Sequence, residues 1–119
     1  MNFADIASQF SGAIKKEINP RTLVNYFIKC NRVIKHNPGV SNFSQEIGAA
    51  KILLRKHGGQ KSFELIARSF MLTDPPNSLF LLTNDKYISM VEELVDDKTL
   101  REGNKIYPGL FEGLNYGNG

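Results

Sequence analysis

The stretch "LLRKHGGQKSFELIARSF", residues 53 to 70, decides how this chain is read. Leu53 and Leu54 close one helically spaced run, two glycines follow, and Phe63, Ile66, Ala67 and Phe70 open another at three- and four-residue intervals. Such a pair is either a helix-turn-helix that reads DNA or an elbow between two core helices. A recognition helix needs polar residues facing outward in its first turns, and those positions would be Gln60, Lys61, Glu64 and Arg68. Glu64 is spaced to pair with Arg68 and would repel phosphate, so the elbow is the better reading. Gly58 then ends one helix in the left-handed conformation, and Leu53, Leu54, Phe63 and Ile66 face inward.

Working outward, helical spacing recurs on both sides. Phe3, Ile6, Ala7, Phe10, Ile14 and Ile18 predict an amphipathic helix over residues 3 to 18. Pro20 can open a second helix, whose Leu23, Val24, Phe27, Ile28, Cys30, Val33 and Ile34 form a wide apolar stripe, the expected centre of the core. "NPGVSN" at 37 to 42 is a turn, and Ser41 or Ser44 should cap the helix that carries Ile47, Ala50, Leu53 and Leu54. Phe63 to Met71 make the fourth helix, and "TDPPNS" at 73 to 78 stops it because two prolines remove two amide donors. Residues 79 to 82 could be a strand, but a single strand has no partner here, so a buried turn or short helix is expected. Asn84 or Asp85 caps a fifth helix carrying Tyr87, Ile88, Val91, Leu94 and Val95. The expectation is an all-α fold, a compact bundle of about five helices over residues 1 to 100. Residues 101 to 119 hold five glycines and no sustained period, and read as a flexible Gly-rich C-terminal tail, mobile or partner-docking.

The bulk composition narrows the function classes. A chain of 119 residues, 41% hydrophobic and 23% charged, fits one globular domain, and no apolar run approaches the ~18 residues of a membrane span. The first residues carry Asp5 and interrupting serines, do not read as a secretory leader, and make a cytoplasmic location the expectation. Cys30 cannot form an internal bridge and sits among apolar neighbours, as a buried thiol does. His36 and His57 stand where helices end, where a capping role suits them. No paired carboxylates, Ser–His or Cys–His arrangement, phosphate-binding glycine loop or H-x-x-x-H pair has the required spacing, so no catalytic residue, metal or cofactor is expected. Glu92, Glu93, Asp96 and Asp97 form an acidic cluster, read as a solvated face rather than a divalent-ion site.

Charge is divided along the chain. Residues 1 to 70 hold eleven Lys or Arg against four acids, whereas residues 71 to 119 hold four against eight. The basic part could meet phosphate or an acidic protein, and the acidic part could fold over it or simply solvate the C-terminal part. Lys29, Arg32 and Lys35 lie along one side of the second helix, and Lys51, Arg55 and Lys56 cluster on the third. If those faces are neighbours they make a surface suited to salt-sensitive binding of nucleic acid or an acidic partner; the alternative is an ordinary lysine-rich solvent face. The tail offers Tyr107, Leu110, Phe111 and Tyr116 between glycines, a pattern that fits either docking onto a protein partner or lying back across the chain's own core.

Over residues 49 to 83 the order of features resembles a helical domain of DNA replication accessory proteins from phages and other mobile elements, of the replication-organiser and helicase-loader type. Leu53, Leu54, His57 and Gly58 match the leucine pair and glycine that close its first helix; residues 63 to 70 match the second helix; Asp74, Pro75 and Leu79 to Leu82 match the breaker and apolar run. The resemblance implies a non-enzymatic adaptor that contacts DNA, a helicase or another replication protein. A competing class is a small phage-type inhibitor or adaptor of a host enzyme, working through the aromatic tail.

Overall fold

The computed structural model describes residues 18 to 37, 39, 40 and 42 to 111. Among them are α-helices α1 (Pro20–Cys30), α2 (Phe43–Ser69), α3 (Asp85–Leu94) and α4 (Asp97–Ile106), and no strand. The helix expected over residues 3 to 18 lies outside the described residues except at its last position, Ile18, which is buried. No helix of the described part is long and apolar enough to cross a membrane.

Each helix starts at a side-chain cap. Asn19 Oδ1 accepts the Thr22 amide at 2.9 Å ahead of Pro20, so α1 begins with one orphan donor satisfied and one absent. Asn42 caps α2 by accepting from the Gln45 amide at 3.1 Å, in place of the expected Ser41 or Ser44. Asn84 accepts the Lys86 and Tyr87 amides at the start of α3. Asp96 accepts the Thr99 amide at 2.8 Å at the start of α4.

Beyond Cys30 the first helix widens into a π-helical turn, Asn31–Lys35. His36 then closes it in the left-handed region, φ 58°, with its N–H donated to the Asn31 carbonyl. His36 thus ends the helix through its backbone; the expectation had been a side-chain cap. The extra residue in the turn shifts the helical phase, leaving Val33 and Ile34 half-buried.

The glycine pair is an elbow. Gly58 has φ 80° and ψ 170°, so α2 consists of two limbs joined at one non-helical residue. Gly59 lies where a Cβ would stand 3.0 Å from the Ile18 Cβ, so the bare backbone receives the chain entering α1. The first limb buries Glu46, Ala49, Ala50 and Leu53 on one face. The second buries Ser62, Phe63 and then every residue from 65 to 69, which makes it the central helix, a place expected for the helix at 20 to 36. Two ring pairs join it to α1: Tyr26 stacks on Phe63 at 3.8 Å, and Phe27 meets Phe70 edge-on at 5.4 Å.

After the prolines, Leu79–Thr83 form a 3-10 turn that buries Leu79 and Leu82 and exposes Phe80 and Leu81. Its anchor is Glu46, buried in α2, whose carboxylate accepts the Ser78 hydroxyl at 2.6 Å and the Leu79 amide at 2.8 Å. The boundary expected at residue 100 is corrected. Helix α4 runs through it, Leu100 and Gly103 are buried, and Leu110 and Phe111 continue into the core. At Gly103 a Cβ would strike the Met71 sulfur and stand 3.0 Å from the Phe111 ring, so close approach depends on the missing side chain.

Candidate functional site: a cationic face and the clefts beside Tyr107

The basic half of the chain is sorted by the fold into paired and unpaired groups. Lys56 donates to Asp85 at 2.8 Å and to the Thr83 carbonyl at 3.2 Å. Lys61 reaches Glu92 at 3.1 Å. Arg68, 8% exposed, donates to the Val95 carbonyl at 2.7 Å and to Glu64 at 2.7 Å, and also pairs with Asp97. Burial alone would lower the pKa of Arg68, but its hydrogen bonds and charge contacts with Glu64 and Asp97 raise it above the ordinary value. Asp85, Glu92 and Asp97 all come from the acidic half, which therefore folds onto the basic half as its composition allowed.

What remains is a smaller set of cations. Among the described residues no carboxylate lies within ion-pair distance of Lys29, Arg32, Lys35, Lys51 or Arg55. Arg32, Lys51 and Arg55 are exposed, and Lys29 and Lys35 are half-buried. Lys35 donates to the Asn77 side chain at 2.7 Å. Of the six cations read as a binding face, Lys56 is shared with Asp85 in a surface ion pair, and Lys35 is held by a neutral partner.

The remaining expectations for this region are also relocated. A DNA-reading helix would need Gln60, Lys61, Glu64 and Arg68 to face outward. Instead the amide atoms of Gln60 are buried and Arg68 is inside, while Lys61 and Glu64 are engaged in ion pairs. Of the four positions a DNA-reading helix would use, Lys61 alone keeps substantial exposure, in a surface pair with Glu92. His57 Nε2, the Gln60 amide and the Ser62 hydroxyl are buried at the elbow with no hydrogen-bond partner among the described residues. The acidic cluster is solvent-facing as expected, with Glu92, Glu93 and Asp96 exposed and Asp97 half-buried; within it Glu92 pairs with Lys61, Asp96 caps α4 and Asp97 pairs with Arg68. No group of His, Cys, Asp and Glu among the described residues could hold a metal ion. Cys30 is fully buried, and desolvation pushes its thiol pKa upward, away from a reactive thiolate.

The proposed docking residues of the tail divide. Leu110 is 2% exposed and Phe111 0%, so both are core residues, drawn in where Gly103 leaves room; they cannot be presented to a partner. The Leu110 carbonyl accepts the Tyr26 hydroxyl at 3.1 Å, which fixes the turn. Tyr107 is half-buried, and Tyr116 lies outside the described residues.

Tyr107 and its neighbour Ile106 separate two clefts. One, of about 360 Å³, is lined by Lys29, Val33, Ile106, Tyr107, Pro108 and Leu110. The other, of about 440 Å³, has Ile34, Lys35, Met71, Thr99 and Glu102 among its walls. Sequence reasoning missed both, because each is formed where residues 102 to 110, read as a loose tail, pack against earlier parts of the chain. No family model, curated protein or solved structure matches this chain. The functional reading therefore rests on the geometry and charge of the chain itself.

Proposed function

We propose that this chain is a non-enzymatic binding module for a polyanion, nucleic acid in the first instance, acting as an accessory protein of the kind that phage and mobile-element replication uses. One observation carries the reading. The acidic half of the chain neutralises Lys56, Lys61 and Arg68, but Arg32, Lys51 and Arg55 stay exposed with no carboxylate partner among the described residues. Lys29 and Lys35 add to this set at the end of the first helix. With no carboxylate of the described residues set against them, these cations are available to an anion from outside the chain.

Five such contacts would give log K against log salt a slope of about −4.5 on duplex DNA, so affinity would fall some hundreds-fold between about 50 and 200 mM salt. The test is a titration of labelled single- and double-stranded DNA at those two salt levels, with the triple charge reversal Arg32→Glu, Lys51→Glu and Arg55→Glu alongside. Expected is salt-sensitive binding that the triple variant loses. Absence of binding at the lower salt sinks the nucleic-acid reading.

The competing reading, an inhibitor or adaptor that inserts its aromatic tail into a partner, loses Leu110 and Phe111 to the core. A protein partner fits better as the occupant of a cleft on this chain.

A further inference from the structure

We infer that the cleft lined by Lys29, Val33, Ile106, Tyr107, Pro108 and Leu110 is a docking site for an acidic peptide segment carrying one large apolar side chain. This goes beyond the polyanion reading, because Arg32, Lys51 and Arg55 do not line the cleft and nucleic acid offers no apolar side chain to fill it.

The walls specify the occupant. Val33, Leu110, Pro108, the Tyr107 ring and Ile106 make an apolar depression of about 360 Å³, at the small end of ligand-sized pockets and suited to one large side chain rather than an extended acyl chain. Ile106 is 70% exposed, an isoleucine left in water on the rim of a cleft, and burying it on an incoming apolar group is favourable. At the same rim Lys29 has no carboxylate partner among the described residues. Its aliphatic stem can lie along the apolar wall while the ammonium reaches a carboxylate at the edge. The neighbouring cleft lacks this complementarity, since Glu102 lines it as well as Lys35, and Lys35 already donates to Asn77. Charge complementarity therefore selects the Lys29 cleft and an anionic residue beside the anchor. The roles of the tail are inverted relative to the sequence reading: residues 106 to 110 form the receptor, and the partner supplies the anchor.

The test uses the full chain and three fluorescently labelled peptides: one of Asp and Glu with a single central Phe, one with Ala in place of the Phe, and one with Lys in place of the acids. Anisotropy titrations should show saturable binding of the first and binding at least about tenfold weaker for each of the others. Lys29→Glu and Ile106→Asp should each weaken the first peptide about tenfold, whereas Lys86→Glu, exposed on α3 and outside the cleft lining, should leave it unchanged. Ile106 is largely exposed, so both variants are expected to fold, and their thermal unfolding checks this. Ile106→Ser serves as the second variant if Ile106→Asp unfolds. No saturable binding up to about 1 mM overturns the proposal. So does binding that follows the peptide's charge but ignores the Phe and Ile106, which would be a general cationic attraction. Binding of octanoate at the same site as tightly as the peptide would also overturn it, in favour of a small amphipathic acid. Failure of this experiment leaves the DNA titration untouched, and the converse holds.

Discussion

Alanine placed at Gly103 and at Gly48 should have opposite effects on stability, and the pair tests whether α4 is docked as described. Both glycines lie inside helices, where alanine is favoured by about 0.8 kcal/mol through lower backbone entropy in the unfolded chain. At Gly48 a Cβ meets nothing within 4 Å, so the full gain is expected. At Gly103 the same Cβ collides with the Met71 sulfur and stands 3.0 Å from the Phe111 ring. Met71 is flexible and half-buried and can give way in part, but Phe111 is 0% exposed and held in the core. Overpacking of this kind costs about 1 to 3 kcal/mol, so the net effect at Gly103 is a loss of about 1 kcal/mol. Urea unfolding followed by circular dichroism measures both variants on one scale. Adding Met71→Ala to Gly103→Ala removes the nearer obstacle and should show favourable coupling of about 1 kcal/mol. If Gly103→Ala stabilises as much as Gly48→Ala, α4 does not pack against Met71 and Phe111, and the docked C-terminal segment is wrong.

Two further outcomes follow from the charge network. Arg68→Met removes the buried cation and leaves Glu64 and Asp97 facing each other, with the Val95 carbonyl short of a donor. A loss of about 3 kcal/mol is expected, near the lower limit for breaking a buried pair because Asp97 is partly exposed, and urea titration would contradict it by showing no change. The Asp96 carboxylate is held below the ordinary aspartate value of 3.8, first by the hydrogen bond from the Thr99 amide and then by that from the Thr99 hydroxyl. Its folded-state pKa lies below the unfolded one, so the capping contribution is present above about pH 4 and is lost as pH falls through the folded value. Asp96→Asn keeps a cap that does not titrate, so its stability should fall less steeply below pH 4 than that of the parent chain; parallel curves would disprove the assignment.

The elbow was legible because glycine and helical spacing are local signals. Gly58 breaks the periodic run between Leu53 and Phe63, and the structure places its backbone at φ 80°. The centre of the core was misplaced for a physical reason: the second limb of α2 is buried on nearly all sides, and a helix surrounded by protein carries polar residues such as Ser62, Arg68 and Ser69 inward when partners or close packing allow it. Apolar periodicity favours the helix with the cleaner stripe, and that was α1. Helix α4 was invisible to the same method. Its core face consists of Leu100 and Gly103, and Gly103 contributes by lacking a side chain, which no count of apolar residues detects. A usable signal was present in Asp96 followed by Thr99 three positions on, a helix start that was read as the tail of an acidic cluster.

Charge explains why the candidate site could be outlined but not drawn. Spacing placed Lys51, Arg55 and Lys56 on one helix face, yet only the fold shows that Asp85 lies against Lys56 and not against the other two. The pairing has a direction. Carboxylates of α3 and α4 reach residues from 56 onward, at and beyond the elbow, while the α1 end and the first limb of α2 as far as Arg55 keep their cations. The whole-chain net charge of +3 conceals this direction in the pairing of the described residues. Under the two proposals, the cations left without a carboxylate belong to two chemically different surfaces. Arg32, Lys51 and Arg55 offer charge alone, which suits a phosphate backbone, whereas Lys29 offers charge beside an apolar cleft, which discriminates by side chain. Lys29 belongs to both proposed surfaces, so a nucleic acid and an acidic peptide would compete for it directly as well as through long-range electrostatics.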